Sequence, residues 1–290
     1  MGTAGSDSGN CDFCTANCAA GAAKSSIRTN RLSRMFKAIR ITVLLLVLFF
    51  VSVSSWLTQA RSTDWSDSLW VKIYPINADG SRDVDRYVAS LTVRDFESIE
   101  TFVAREIGKY GRNLERPVRM ELGQPIGSQP PSLANSTSVA GIMLWSLRMR
   151  WWASRITRDQ DDPAPHVRIF VRYYSPRDGV MLENSVGMQK GMVGVVNAFA
   201  HRRNTETNNV VIAHEFLHTL GATDKYEPAS AQPIFPSGYA EPERKPLLPQ
   251  RYAEIMGGRI AQSEVDAMMP KSLRYVVIGP ETAKEIRLAK

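Results

Sequence analysis

Residues 205–224 read TETNNVVIAHEFLHTLGATD, and this stretch decides the fold. Its first turn is polar and the rest is apolar almost all round, which predicts a buried helix over 205–220. His214 and His218 lie on one face of this helix, because residues four apart are neighbours on a helix surface. Two imidazoles and the Glu215 carboxylate are costly to bury unless something pairs them, so the pattern indicates a metal site.

Zinc is the metal that this spacing favours. His214 and His218 offer imidazole nitrogens, and Glu215 follows the first of them in the order His-Glu-x-x-His, which is typical of zinc peptidases. A catalytic zinc generally has three protein ligands, so the two histidines need a partner. Gly221 can end the helix in the left-handed conformation and turn the chain back toward the metal. Asp224 is therefore the candidate third ligand.

The string HEFLHTLGATD resembles the metzincin metallopeptidase motif. Most of that clan have histidine where this chain has Asp224, and aspartate there is similar to the snapalysin-type neutral proteases. The resemblance implies an α+β fold in which helices, including the active-site helix, pack on a mixed sheet. It also implies a methionine in a tight turn beneath the zinc, for which Met256 is the candidate and Met268 the alternative. Gly258 stands where some members have a tyrosine, so no tyrosine role carries over.

The resemblance further implies a mechanism and a class of substrate. Zinc bound by His214, His218 and Asp224 would activate a water, and Glu215 would take its proton and pass it to the leaving amine. In the family, an edge strand before the motif helix pairs with extended substrate, and residues 191–199 are expected to form that strand. The expected partner is therefore a peptide or protein.

Other interpretations of the ligand set stay open at this point. A downstream glutamate would resemble the thermolysin-like arrangement, with Glu241, Glu243 and Glu254 as candidates. The other interpretation of these three is that they are solvated surface carboxylates. Tyr226 and Glu227 are candidates for groups that contact the ligands rather than the metal.

Two other classes of function compete with the enzyme. One is a membrane-anchored zinc-binding module in which the zinc is structural and Glu215 is dispensable. The other is an inactive peptidase homologue that acts as an adaptor. Glu215 favours the enzyme over both, since that residue has no role in a merely structural site.

An uncharged apolar run over residues 41–57 divides the chain. It is long enough to cross a membrane, and the positive charge before it predicts that residues 1–40 are a disordered cytoplasmic tail. Residues 58–67 are a predicted linker, and 68–290 a predicted peptidase domain on the extracytoplasmic side. In the alternative interpretation the run is a cleaved signal peptide with its site near residues 58–60, and the domain is secreted.

Charge and cysteine content narrow the range of functions. The net charge is +7, but six Lys and Arg residues lie between 24 and 40, which leaves about +1 for the rest and gives no indication of nucleic-acid binding. Cys11, Cys14 and Cys18 all precede the apolar run. Their spacing could bind zinc or an iron–sulfur cluster, although a disordered tail is the favoured interpretation. Translation from Met35 would remove all three.

The remaining sequence interleaves predicted strands and helices, which argues for one domain with helices packed on a sheet. The predicted strands cover 69–76, 118–122, 167–174 and 191–199, and the predicted helices cover 92–110, 141–156, 205–220 and about 280–288. The helix over 141–156 is rich in Trp and Arg. Contact with lipid headgroups is one interpretation of that composition, and packing on the sheet is the preferred one.

Overall fold

The computed structural model describes residues 2, 35–53, 65–132, 138–160, 163–176, 185–189 and 191–289. Two compact units, Met1–Leu57 and Thr58–Lys290, divide the chain. The cysteine cluster, the predicted tail before Met35, the candidate cleavage site and most of the predicted linker lie outside the described residues.

The first unit contains one described helix, α1 (Met35–Val53), of 19 residues. The mean hydropathy of its 18-residue window is 2.3, and by length and composition the helix could cross a membrane or serve as a signal sequence. The described part of the helix includes the six residues before the apolar run, 35–40, which contain helix formers and neither glycine nor proline.

A five-stranded mixed sheet lies at the centre of the second unit. Its strands are β1 (Leu69–Asn77), β2 (Val118–Leu122), β3 (Val167–Tyr174), β4 (Val186–Met188) and β5 (Val193–Phe199). The order across the sheet is β2-β1-β3-β5-β4, in which β4 is antiparallel to β5 and all other pairs are parallel. The prediction of an α+β fold with a mixed sheet is confirmed at this level.

Helices cover both faces of this sheet, which explains the nearly continuous apolar runs in its central strands. The helices are α2 (Arg82–Ala89), α3 (Glu97–Lys109), α4 (Val139–Ile156) and α5 (Thr205–Leu220). On one face, α2, α3 and α5 share a core with residues such as Ile73 and Phe216. On the other face the described part of the chain places one helix, α4, with Met149 in a core that contains Phe170. Burial of one such side chain stabilises the fold by about 1.5–3 kcal/mol.

Most predicted elements lie where the sequence pattern placed them. The predicted strands over 118–122 and 167–174 match β2 and β3 residue for residue, and the predicted motif helix matches α5. The helix expected over 92–110 begins as a 3-10 turn, Val93–Phe96, after a capping box between Thr92 and Asp95. Helix α2 and strand β4 were not predicted.

Strand β4 corrects the prediction about the edge of the sheet. Residues 191–199 were expected to form the edge strand, but β5 lies between β3 and β4. Gly187 of β4 pairs with Gly194 of β5, and β4 forms the outer edge. Strand β5 also begins two residues late, because Gly191 and Met192 have positive φ angles of 110° and 52°. The edge strand next to the motif helix is therefore β4.

The chain after α5 is largely irregular. Its short elements are β6 (Ala253–Glu254), β7 (Ile260–Ala261), β8 (Ala267–Met268), β9 (Val276–Val277) and α6 (Pro280–Glu285). Glu254 links β6 to α6, since its carboxylate accepts hydrogen bonds from the N–H of Gly279 at 3.0 Å and the hydroxyl of Thr282 at 2.7 Å. Helix α6 ends before residue 288, the predicted end, and Arg287 has a positive φ of 59°.

Candidate metal centre

Helix α5 presents both histidines at its C-terminal end. The sides of the helix next to and opposite the histidines are buried in the core, with Leu217 and Phe216 fully inaccessible to solvent. Gly221 ends the helix in the left-handed conformation with φ 110°, and its N–H donates to the carbonyl of His218. Glycine adopts this conformation without the strain that a side chain would cause. The chain therefore reverses directly after the second histidine, as the sequence predicted.

The three predicted ligands lie together at this reversal. Nε2 of His214 and Nε2 of His218 are 3.1 Å apart. Oδ1 of Asp224 lies 3.2 Å from the first nitrogen and 3.1 Å from the second. A tetrahedral site with metal–ligand distances of about 2.0–2.1 Å has edges of about 3.3 Å between its ligand atoms. The observed triangle therefore has nearly the dimensions of one face of such a site.

The hydrogen bond of Nδ1 in each histidine ring determines which ring nitrogen carries the proton. Nδ1 of His214 is 2.8 Å from the carbonyl oxygen of Ile255, and Nδ1 of His218 is 2.8 Å from that of Ala222. Because a carbonyl oxygen only accepts, each Nδ1 carries the proton and each Nε2 of a neutral ring carries a lone pair. When both rings are neutral, both lone pairs and the carboxylate oxygen of Asp224 therefore meet, which is an arrangement that a metal ion or a proton on one ring can stabilise.

The charges at the centre shift one another's pKa values. Burial lowers the pKa of His214, but Asp224 and Glu215 raise it by more, so that the pKa of the ring lies above its ordinary value. Burial raises the pKa of Asp224, but hydrogen bonds from the two histidines lower it well below the usual range of a carboxyl group. Without a metal, the centre therefore favours a protonated ring beside a carboxylate, and a metal must displace that proton.

Glu215 is buried beside the histidines and only 5% exposed. The backbone N–H of Gly187 on β4 lies near its carboxylate and lowers its pKa, while Oε2 has no hydrogen-bond partner among the described residues. Burial raises the pKa of Glu215, and the two histidines offset only part of that effect. A Cβ at Gly187 would lie 2.5 Å from the Glu215 carbonyl oxygen, so glycine is required where β4 packs on the helix.

Helix α6 fixes the segment that carries Asp224. The carboxylate of Glu285 accepts hydrogen bonds from the N–H and the hydroxyl of Thr223, at 3.0 and 2.6 Å, and pairs with Nζ of Lys225 at 2.7 Å. Both neighbours of Asp224 are thus bound by one carboxylate. Sequence reasoning missed Glu285, because it lies 62 residues after Thr223 in a segment without a motif.

Met256 lies in a tight turn that contacts His214. The side chain is fully buried, and its N–H donates to the carboxylate of Glu254 at 2.6 Å. The turn closes where the N–H of Gly258, with φ 70°, donates to the carbonyl of Glu254 at 3.0 Å. The carbonyl of Ile255 in this turn accepts the Nδ1 proton of His214, so the turn orients the first histidine.

Tyr226 adds a phenol group to the centre. Its ring centroid is 6.3 Å from that of His214, and its hydroxyl forms a hydrogen bond with Asp224. Burial and the charge of Asp224 raise the pKa of Tyr226, so the phenol keeps its proton at neutral pH. The ring lies in van der Waals distance of the position that a Cβ at Gly258 would occupy, 3.8 Å away. Glu227, the other candidate for such a contact, is exposed.

The alternative ligands have other surroundings. Glu241 pairs with Arg251 and Glu243 is exposed. The expectation that Glu254 is a solvated surface carboxylate is wrong, because it is fully buried and its four hydrogen bonds join the Met256 turn to α6. Met268, the alternative turn methionine, is 45% exposed.

Within the described part of the chain, one group of three or more potential ligands could hold a metal ion. It consists of His214, Glu215 and His218, whose ligand atoms lie within 4.8 Å of one another. Asp224 joins this group through the contacts of its Oδ1 with both imidazoles.

Comparisons with known proteins give no family assignment. No family model and no curated protein matches the chain. A solved structure of a chaperone–substrate complex matches with a TM-score of 0.39 and 14% identity, over 77% of this chain and 34% of that one. Catalytically inactive OgpA from Akkermansia muciniphila, in complex with the O-glycopeptide substrate glycodrosocin, matches with a TM-score of 0.32 and 9% identity. The match covers 74% of this chain and 58% of that one. Wild-type OgpA matches with a TM-score of 0.31 and 11% identity, over 76% of this chain and 63% of that one. The chain thus spans about a third of the first structure and under two thirds of the others, and scores this low establish neither a common fold nor a common function.

Proposed function

We propose that this chain is a zinc metallopeptidase that hydrolyses peptide bonds, related to the metzincins through the variant with aspartate as third ligand. One observation carries the proposal. Nε2 of His214, Nε2 of His218 and Oδ1 of Asp224 lie 3.1–3.2 Å apart, with both ring protons on the opposite nitrogens. With neutral rings these three lone pairs repel one another, and a bound metal ion would offset that repulsion in place of the proton that the metal-free centre favours.

The chemistry of the donors supports zinc. Calcium and magnesium prefer oxygen ligands, whereas two imidazoles with one carboxylate suit zinc among the common metals. Three protein ligands are also the number typical of catalytic zinc, because a structural site normally fills all four tetrahedral positions with side chains. The donor set of His214, His218 and Asp224 therefore supports catalysis.

The metal and the residues around this site each have a separate role in the proposed hydrolysis. When bound, zinc supplies a Lewis acid that activates water and polarises a carbonyl at neutral pH. Glu215 takes a proton from the attacking water on its unpartnered Oε2 and delivers it to the amide nitrogen as the carbon–nitrogen bond breaks. Its raised pKa suits both transfers, since the carboxylate must bind the proton and then release it. Tyr226, which is protonated, would turn its hydroxyl away from Asp224 to donate to the oxygen that becomes negative.

The outer edge of β4 is the proposed site for the substrate backbone. An exposed strand edge binds an extended peptide through main-chain hydrogen bonds. Gly187 on this strand packs directly on the motif helix, where a Cβ would lie 2.5 Å from the Glu215 carbonyl oxygen, so the edge has a fixed position relative to the general base. The substrate in this proposal is a peptide or protein in extended conformation.

The proposal also covers the location of the enzyme. Lys37 and Arg40 lie near the start of α1, and the bias of basic residues toward the cytoplasmic side would leave the second unit outside the cytoplasm. We propose α1 as a membrane anchor, with secretion after signal cleavage as the alternative.

Glu215 separates this proposal from its rivals, a structural zinc module and an inactive adaptor. In a structural zinc module or an inactive adaptor, Glu215 would have no proton to transfer. A buried carboxylate oxygen without a hydrogen-bond partner is costly, and a protein is expected to keep it only for a function.

The decisive experiment compares wild type with Glu215→Gln. We expect the variant to keep one zinc per chain, measured by elemental mass spectrometry, and to lose at least about a thousandfold in the rate of cleavage of a peptide library. Glu206→Gln is the matched control, because Glu206 lies in the exposed first turn of the same helix. Cleavage that survives Glu215→Gln, or zinc that is lost with it, would contradict the mechanism.

A further inference from the structure

Helix α4 exposes large apolar side chains on the side that faces away from the sheet. Met143, Leu144, Leu147 and Trp151 are 63%, 51%, 58% and 63% exposed. The opposite side, which includes Met149 and Ala153, is buried against the sheet. Packing on the sheet, the preferred interpretation of this Trp- and Arg-rich sequence, therefore accounts for only half of the helix.

The exposed apolar residues form one stripe with arginines at both margins. At about 100° per residue, Met143, Leu147, Trp151 and Leu144 fall within an arc of about 100°. Arg150 lies just outside one margin of this arc, and Arg148 and Arg155 lie just outside the other. We call the stripe with its arginines the α4 outer face.

The charge of the α4 outer face has one sign. Helix α4 contains Arg148, Arg150 and Arg155 and no Asp or Glu, and Arg158 and Asp159 follow it. All four arginines are exposed, and the guanidinium of Arg155 lies 5.2 Å from the ring centre of Trp151. Tryptophan and arginine with apolar neighbours are the side chains that suit the boundary between lipid tails and headgroups.

We propose that the α4 outer face docks on the surface of an anionic lipid bilayer. The apolar stripe would enter the boundary between headgroups and tails, and the arginines at its margins would bind lipid phosphates. A second copy of this chain fits less well, because self-pairing would bring six arginines together without a carboxylate from either helix.

The segment between α1 and the sheet-containing domain is short enough to keep that domain near a lipid surface. Twelve peptide steps join Val53, the end of α1, to Trp65, and fully extended they span at most about 40 Å. If α1 crosses the bilayer, this tether limits the distance of the domain from the lipid surface and raises its effective concentration there. The docking does not depend on peptidase activity.

The test uses the full chain reconstituted in vesicles, with Cys11, Cys14 and Cys18 changed to serine. A single cysteine is introduced by Leu147→Cys and labelled with an environment-sensitive nitrobenzoxadiazole dye. The matched control is Val265→Cys, since Val265 is 87% exposed between β7 and β8. The vesicles are phosphatidylcholine with or without phosphatidylglycerol, and brominated lipids serve as quenchers.

We expect a blue shift and several-fold stronger quenching at position 147 than at 265, increased by phosphatidylglycerol. Arg148→Gln combined with Arg158→Gln should remove that increase while leaving the apolar stripe and the Arg155–Trp151 pair intact. Equal quenching at both positions, or none at 147, would overturn the proposal. So would energy transfer between two labelled copies that falls on dilution in lipid, because that result identifies a second copy as the partner. Zinc content, measured separately, distinguishes this failure from failure of the proposed catalysis.

Discussion

Asp224 differs from the two histidines in its surroundings. Its side chain is 44% exposed, whereas those of His214 and His218 are 13% and 16% exposed. Asp224 does not lie on a helix as the histidines do. Its segment is held in place because its two neighbours, Thr223 and Lys225, bind the carboxylate of Glu285. Its contribution to the metal site is therefore the one that most needs a direct measurement.

Asp224→Ala should weaken zinc binding by more than about 100-fold. Loss of a partner that only orients a ligand already costs about 10–100-fold, and loss of a ligand should cost more. Competition with a chromophoric chelator measures the change. Glu227→Ala is the control, because Glu227 is exposed three residues away, and it should bind zinc as wild type does. An Asp224→Ala affinity within a few-fold of wild type would exclude Asp224 as a ligand.

Tyr226→Phe should lower kcat by about 100- to 1,000-fold, the usual effect of removing one hydrogen-bond donor to a developing oxyanion. Zinc content should stay the same, since the phenol contacts Asp224 rather than completing the triangle. Tyr275→Phe provides a control at a tyrosine that is 47% exposed and outside the centre. If the rate and the zinc content fall together, Tyr226 acts by orienting Asp224 and not on the substrate.

At the residue scale, the sequence predicted what local spacing determines. His214 and His218 follow from helical periodicity, and the turn at Gly221 follows from the conformational freedom of glycine. Glu285 and the burial of Glu254 could not be predicted, because both depend on contacts between segments distant in the chain. No local pattern distinguishes a carboxylate that organises a turn from one on the surface.

At the scale of elements, the contact between α6 and the Asp224 segment depends on pH. Burial raises the pKa of Glu285, but its bonds with Lys225 and Thr223 lower it by more, to below the ordinary value of 4.5. In the window below 4.5 the unfolded chain binds more protons than the folded one. Glu285 therefore stabilises the fold above about pH 4.5, and this stabilisation is lost as the pH falls through its folded-state pKa.

Glu285→Gln should accordingly lower the free energy of unfolding by about 1–3 kcal/mol at neutral pH, through loss of the charged partner of Lys225. The difference from wild type should shrink as the pH falls below about 4.5. Urea unfolding of the full chain in detergent, at several pH values, measures both quantities. Glu281→Gln, at an exposed position in the first turn of α6, is the control. A difference that is independent of pH would contradict this account of Glu285.

The elements missed by sequence reasoning have a physical explanation. Strand β4 has only three residues, Val186–Met188, which is too short for an alternating pattern to stand out. Helix α2 has eight residues, mostly charged or polar, and buries only Val84, Tyr87 and Val88. Longer elements such as β3 and α5 were predicted within a residue, because their periods repeat often enough to be recognised.

At the scale of the whole molecule, the order of the strands was beyond local patterns. The sequence predicted that strands and helices alternate, but the choice of edge strand depends on pairing between distant segments. Strand β4 precedes β5 in the chain and yet lies outside it in the sheet. Residues 191–199, which the family resemblance assigned to the edge, are therefore covered by an element that the sequence did not indicate.

The candidate centre joins three segments from the C-terminal half of the second unit. Helix α5 provides two ligands, the loop after it provides Asp224, and the turn around Met256 orients His214 through the carbonyl of Ile255. A metal that binds this arrangement binds the folded chain alone, because the unfolded chain does not bring these groups together. Zinc should therefore stabilise the whole unit and not only the site.

Removal of zinc with a chelator should lower the thermal midpoint of the second unit substantially. At free zinc about 1,000 times the dissociation constant the stabilisation is about 4 kcal/mol, which for a domain of this size corresponds to roughly 8–16 °C. Differential scanning fluorimetry of the full chain in detergent, with and without chelator and after zinc is restored, measures the shift. His214→Ala should show no response to zinc, because it lacks a ligand. A wild-type midpoint that chelation leaves unchanged would mean that the histidines and Asp224 lie together without binding zinc.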